Sequence, residues 1–485
     1  MFHIPALVYA FLSGHHVPPI AERDALRTVR PQDTDEFHEL FRRTSTRLRC
    51  IHTSLIGRGA DNLRTSVGVL VLFQRLVARF RAAVHKHAAL NVLVRFATKR
   101  STLEKLQELH GVIDRLFGYL GLLEDPEVVT WREEWDGDCD RMHKLFTQRV
   151  DQPKFIVARL PNAEIAEMLA ILKFELEFHR DELSPEQEKL MKDTCVKVMR
   201  CTNVKVPRIS AFYIPTMDVD LGSHYESVRD TICDVKRGVY DQETRLVAQY
   251  LYADRLYARQ LFWRATEIWH GFQHPNVSKM LGESLVQNQP LVVWEDAAAH
   301  GNFIHFFAGE HDNHQRRLWR MFMQVGHGLN YIHQQGQTHG NLKCSHILVA
   351  RNGTPKICHF ELSKGSTVGG VDRWKSPEYN LGTGIDPSKA GDVYAFGLCI
   401  IEARSGGIPY GLECDEHVKD QLQLGDCYPR PEDMRDDEWD VVKRFVAHNP
   451  NDRPTMAQAI EMLEELAWKE ALEEETDADR GVKTA

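Results

Sequence analysis

Between Asp33 and about Thr202, apolar residues recur three and four positions apart, the period of amphipathic helices. A first run, EFHELFRRTSTRLRCIHTSLIG after Asp35, is closed by Gly57 and Gly59. A second runs from Asp61 to about Ala88 and places Leu63, Val67, Leu70, Val71, Phe73, Leu76, Val77 and Phe80 in helical recurrence. Ser101 and Glu104 have the spacing of a capping box for LEKLQELHGVIDRLFGYL. Further helices are predicted over Val129 to Val150 and Ile165 to Leu183. Ser184-Pro185 opens another, the serine accepting an orphan N–H and the proline occupying the first turn. These spacings predict a helical bundle over 33–150 and a helical connector over 151–204, with the aliphatic stripes as core.

After Thr202 the texture changes. Short β-like runs (RLVAQYLY, PLVVWEDA, HILVAR, PKICHFEL) give way to helical stretches, so an all-α region is followed by a small sheet and then helices. The expected class is α+β after an all-α bundle. The last stretch, ending EEETDADRGVKTA, reads as an acidic disordered tail over 469–485. Residues 1–32 read as a poorly ordered segment or short helix. Met1 to Leu12 is apolar but lacks a positive n-region, and about ten apolar residues are half of a bilayer span. A membrane-spanning or exported chain is not expected.

At 485 residues the chain exceeds one core and predicts two or three domains. The formal net charge of −9 argues against nucleic acid as partner. The cysteines form no CxxC pair, which suggests a reducing, cytoplasmic setting. Pairs such as His15/His16 and His85/His87 lack companion ligands, and no metal site is expected. Charge is unevenly placed: His38 to Leu120 holds fifteen Lys and Arg against five Asp and Glu, a local balance of +10. Arg75, Arg79 and Lys86 lie near one helical face, and Arg95, Lys99 and Arg100 cluster after them. One reading is a solvated polar face. The other is a surface for an acidic partner: an anionic, peripheral membrane contact through 33–150, the chain's own acidic C-terminal part, or another protein.

Several segments fall in a familiar order. GDVYAFGLCIIEARSGGIPYG (Gly391–Gly411) opens on Asp392, NPNDRPTMAQAIEMLEEL contains Arg453, and RWKSPEY (Arg373–Tyr379) contains Glu378. HPNVSKMLGES (His274–Ser284) and LVVWED (Leu291–Asp296) precede them. Together they resemble the protein kinase superfamily, nearest its tyrosine-kinase-like group, over about 205–468. The resemblance implies a bilobal fold with a β-rich small lobe and an α-rich large lobe. It implies a hinge at Trp294 and Glu295, a Glu378–Arg453 bridge, and a framework that also keeps His339, Lys343 and Phe360.

The positions that the resemblance assigns to chemistry are altered. The phosphate-covering loop needs glycines so that backbone amides can approach, but its positions fall on Val228, Asp230 and Cys233. Val247-Ala248-Gln249-Tyr250 puts tyrosine where the phosphate-binding lysine belongs, and the partner glutamate aligns with Arg264. The catalytic loop reads HGNLKCSH, with Asn341 in place of the base and His346 in place of a magnesium ligand. His359 stands where the metal-binding aspartate belongs. Trp294 would crowd the nucleotide pocket. Ser363, Ser366, Thr367 and Ser376 lie in the activation segment as modifiable hydroxyls.

The reading that follows is a pseudokinase: not an enzyme, without bound ATP, magnesium or other cofactor. It would serve as scaffold or allosteric regulator of a protein partner, itself a kinase or other signalling protein. The layout is similar to mixed-lineage-kinase-domain-like proteins, and this implies the alternative of a lipid-binding or membrane-disrupting bundle restrained by the kinase-like part. A third reading is a divergent ATP-dependent Ser/Thr or Tyr kinase.

Overall fold

The computed structural model describes residues 36–57, 67–122, 126–158, 160–205, 208–221, 228–229, 233–240, 244–251, 265–286, 289–308, 315–358, 372–382, 386–425, 428–432 and 434–482. The chain divides into two units, Met1–Pro215 and Thr216–Ala485. Residues 1–32, Asp230, Arg264, His359, Phe360, Ser363, Ser366 and Thr367 lie outside the described residues.

The first unit is helical throughout most of its described length. α1 (His38–Gly57), α2 (Val67–Ala89), α3 (Val92–Ala97), α4 (Lys99–Tyr119) and α5 (Pro126–Arg149) are followed by α6 (Pro153–Val157), α7 (Asn162–Phe178) and α8 (Pro185–Thr202). The apolar stripes meet in an aromatic core. Phe37, Phe41, Phe80, Phe96, Phe117 and Phe146 are fully buried, and Phe96 and Phe146 lie 5.5 Å apart. Ser184 forms a reciprocal capping box with Gln187, and Asn203 ends α8 in the left-handed region at φ 56°.

Ser101 does not start a helix. Asn91 caps α3 by accepting from Leu93 N and Val94 N, and α3 runs through Thr98 almost directly into α4. Ser101 therefore lies inside α4, its hydroxyl donating back to Thr98 O at 3.1 Å. A capping box needs orphan N–H groups, and an end built from the preceding turn leaves few.

The kinase-like segments fall in the second unit, which begins with an antiparallel sheet. Its strands are β1 (Val219–Asp220), β2 (Val228–Arg229), β3 (Cys233–Tyr240), β4 (Thr244–Leu251), β5 (Met280–Val286) and β6 (Gln289–Glu295), ordered β1-β3-β4-β6-β5 with β2 on β3. Gly238 is required where β1 lies on β3, since a Cβ there would come within 2.5 Å of Asp220 O. Residues 265–270 are helical. β7 (Ile347–Val349) and β8 (Pro355–Ile357) form a separate two-stranded ribbon.

The rest of this unit is helical: α9 (Phe303–Ala308), α10 (Leu318–Gln334), α11 (Pro377–Leu381), α12 (Lys389–Ser405), α13 (Asp415–Leu424), α14 (Asp436–Phe445) and α15 (Met456–Val482). α12 is buried on every side from Asp392 to Ala403 and forms the centre. α10 and α15 pack against each other.

The C-terminal stretch departs from the expected disordered tail, because α15 continues through 469–482. Its buried Glu470 accepts from Trp319 N and Arg320 N, each at 3.0 Å, at the start of α10. A carboxylate there satisfies orphan amides and complements the helix dipole. The acidic composition is used as a cap.

Candidate catalytic site

The loop His339–His346 is held from below by one carboxylate. Asp392, in the first turn of α12, is 2% exposed. Its Oδ2 accepts from His339 N at 2.8 Å and lies 2.9 Å from His333 Nε2, while Oδ1 accepts from Gly340 N at 2.8 Å. Gly340 has φ +72°, which brings two consecutive amides onto the same carboxylate at no steric cost.

Inside the loop, Asn341 N donates to His339 Nδ1 at 3.2 Å, and His346 Nδ1 lies 2.8 Å from Asn341 O. His346 is thus engaged within the turn. Lys343 Nζ sits 5.7 Å over the Trp374 ring. Trp374 Nε1 and Cys344 N both donate to Glu402 Oε2, at 2.9 and 3.0 Å. Burial, outweighing these bonds, pushes the Glu402 carboxyl above its usual range.

The segment Arg373–Tyr379 is anchored by Arg453. Its two terminal nitrogens each donate to one Glu378 oxygen at 2.8 Å, and the guanidinium also reaches Ala447 O, Ala390 O and His448 O. Burial works against the Glu378 carboxylate, but Arg453 prevails and holds it below the ordinary range. This anchoring places Lys375 beside the loop, where its Nζ donates to Gly340 O and lies 4.4 Å over Tyr379.

Asn341, Lys375, Asp372 and Asp386 line one cleft. Motif spacing alone does not single out Asp372, Lys375 or Asp386. Lys375 lies within RWKSPEY, but nothing in that pattern says that its ammonium turns back onto the loop.

The other positions singled out by the sequence are spread through the sheet. Val228, Cys233 and Tyr250 lie in β2, β3 and β4, with Tyr250 opposite Leu291 of β6. Trp294 is buried in β6 and its ring lies 5.6 Å from Trp269. Glu295 accepts from Lys279 N and Lys356 Nζ, both at 2.8 Å.

In the helical unit, the Arg95, Lys99 and Arg100 cluster turns inward. Arg95 pairs with Glu36 at 3.1 Å, and Arg100 Nε with Glu175 at 2.6 Å. Lys99 is 3% exposed, and burial lowers its pKa to about 8 against the pull of Glu175. These three cations do not form a surface for an acidic partner, because they are turned into the unit, where carboxylates distant in sequence meet them.

The site thus consists of a buried carboxylate bracing a loop, with an Arg–Glu anchor beside it, in a unit that opens on an antiparallel sheet. The family model of protein tyrosine and serine/threonine kinases matches residues 231–463, and this part of the chain is similar to that family. Relatives include mouse tyrosine-protein kinase Fer, 26% identical over 205 residues that make up 40% of this chain and 24% of that protein. The probable serine/threonine-protein kinase kinX of Dictyostelium discoideum is 25% identical over 212 residues, 40% of this chain and 18% of that protein. Human Fer is 24% identical over 209 residues, 41% and 25% of the two chains. The chain spans about a quarter or less of these relatives.

Two expectations are overturned by these matches. The reading of the chain as no enzyme is corrected, since the family model and the kinase-named relatives point to a protein kinase. The reading of no cofactor is corrected too, since this family binds ATP and magnesium. The altered positions each depart from a strict motif, whereas the match extends over the whole of 231–463. Among the described residues, no helix is long and apolar enough to cross a membrane.

Proposed function

We propose that residues 216–485 act as a divergent ATP-dependent protein kinase domain. The strands through Glu295 form its small lobe and the later helices its large lobe, and the helical unit regulates or localises it. The observation that carries this reading is the bracing of the loop 339–346 by Asp392, with Lys375 brought against the same loop by the Arg453 anchor. Phosphoryl transfer asks for position and charge more than for covalent chemistry. Of the four carboxylates that line the cleft, Glu378 pairs with Arg453 and Asp392 accepts from the loop amides, so Asp372 and Asp386 are the ones suited to a hard cation, because magnesium takes oxygen ligands; His346 is engaged with Asn341 O instead.

ATP with magnesium, when bound, supplies the γ-phosphoryl group. Lys343 and Lys375 place positive charge beside the loop. Asn341 orients the acceptor hydroxyl but cannot take its proton, so turnover falls below the about 1–100 s⁻¹ usual for kinases.

The test is transfer of labelled γ-phosphate by the purified full chain in ATP and magnesium, to itself and to basic and acidic protein acceptors. Slow incorporation is expected, lost in Lys343→Met and raised by about 10²- to 10⁴-fold in Asn341→Asp. Absence of incorporation in both the native chain and Asn341→Asp, with no ATP-dependent rise in melting temperature, overturns the reading.

A further inference from the structure

Another concave site lies in the kinase unit, apart from the loop that Asp392 braces. It is an open cleft of about 470 Å³ between α9, the first turns of α10 and the β7–β8 turn. That size is within the range of ligand-binding clefts, roughly 300–1,000 Å³. Arg317, Arg320, Arg351 and His300 line it, and no carboxylate among the described residues does. Phe306 and Met321, 9% and 4% exposed, form its narrow apolar floor.

The cations are positioned by backbone and helix. Gly353, at φ +81°, closes the β7–β8 turn with its N–H on Ala350 O at 2.8 Å, which sets Arg351 at the rim. His300 N donates to Val349 O at 2.9 Å, and its Nε2 lies 3.2 Å from Arg351 O. Arg317 and Arg320 project from the start of α10 and are held by α15: Glu474 reaches both, and Glu470 reaches Arg320 at 3.1 Å. Arg351 is exposed and has no carboxylate partner among the described residues. Three guanidinium groups thus converge on one cleft, two of them fastened from behind and one open.

We propose that this cleft docks an acidic linear segment of a partner protein. Its carboxylates would pair with Arg351, Arg317 and Arg320, and an apolar residue would lie on Phe306 and Met321. Charge complementarity selects this occupant: guanidinium forks match carboxylates, and the apolar side chains give a short peptide a place to anchor. Glu474 is then a competitor built into the chain, occupying with its carboxylate the two arginines that an incoming acidic segment needs.

The experiment is fluorescence anisotropy of the full chain with a labelled peptide of alternating glutamate and leucine, against the same peptide with lysine for glutamate. Binding is expected for the acidic peptide alone, weakening as salt rises. Arg351→Glu and Arg351→Gln are expected to weaken it about tenfold or more, since each removes a charge-assisted pair. Glu474→Gln is expected to strengthen it severalfold. Arg351 is exposed, so both of its variants should melt with the native chain. Affinity unchanged in the Arg351 variants or in Glu474→Gln overturns the proposal. So does full displacement by millimolar inorganic phosphate, which would mean a small-anion site, or stronger binding to anionic vesicles than to peptide.

Discussion

Both units bury arginine–carboxylate pairs, and they use them differently. In the helical unit, fully buried Arg47 reaches Asp114 from α1 to α4, and its guanidinium lies 5.0 Å over Trp131 and 5.4 Å over Phe117. Asp114 is shared with Arg132. In the second unit, Arg453 alone spans Glu378 and three carbonyls, and what it holds is the segment whose Lys375 meets the loop 339–346. The arrangement in the helical unit is redundant and fastens helices. That in the kinase unit converges on one side chain and positions a site. Redundancy, more than burial, therefore decides how costly a lost partner is.

The sharpest break in that comparison is Arg453→Met. It leaves Glu378 without its counter-charge and several carbonyls without a donor, at a cost of about 3–5 kcal/mol. Calorimetry of the full chain should show the kinase-unit transition fall while that of the helical unit stays. Equal movement of both transitions would contradict the contrast.

Acid should act on the other unit, the helical one. Burial first, and then Arg47, Arg43 and Arg132, lower the pKa of His110 to about 3. Between pH 6.5 and about 3 the unfolded chain binds a proton that the folded unit refuses, so stability falls as pH falls through that window. His110→Gln, followed by thermal melts across the same range, should flatten the dependence.

Lys99 gives a smaller effect in the alkaline direction. Its Nζ has no hydrogen-bond partner among the described residues and lies 5.1 Å over the Phe96 ring. The folded unit releases the proton near pH 8, whereas the unfolded chain keeps it to about 10.5. Raising the pH between those values should stabilise the unit by up to about 3 kcal/mol. Lys99→Met should raise the midpoint at pH 7 by several degrees and abolish the rise. A lower midpoint would show that the ammonium is needed.

The smallest expected change is that of Arg47→Met, about 1 kcal/mol or less. Asp114 keeps Arg132, and a methionine can fill apolar space against Trp131 and Phe117. A loss as large as that of Arg453→Met, read by the same calorimetry, would remove the distinction between redundant and converging pairs.

Much of this is legible in the chain before any fold is known. The three-and-four recurrence, the Ser184-Pro185 start and the switch after Thr202 are local patterns, and among the described residues they correspond to the helices α1 to α8 and to the sheet that follows. The ordered segments around Glu378, Asp392 and Arg453 are enough to suggest a kinase-like domain. Taken one at a time, Asn341, Tyr250 and His359 point to an inactive protein without cofactor. The match over 231–463 redirects that reading, because a family is defined by the whole domain.

What the tertiary structure decided was which charges turn inward and what meets across the chain. Periodicity is a property of neighbours within a few residues, whereas Arg100 with Glu175, Lys375 with Gly340 O, and Glu470 with the start of α10 join residues 75, 35 and 150 or more positions apart. Such pairs follow from packing and from the cost of burying an unsatisfied polar group. For that reason part of the basic stretch in the helical unit, a surface by its composition, is core. By the same physics the acidic end of the kinase unit, a tail by its composition, caps a helix.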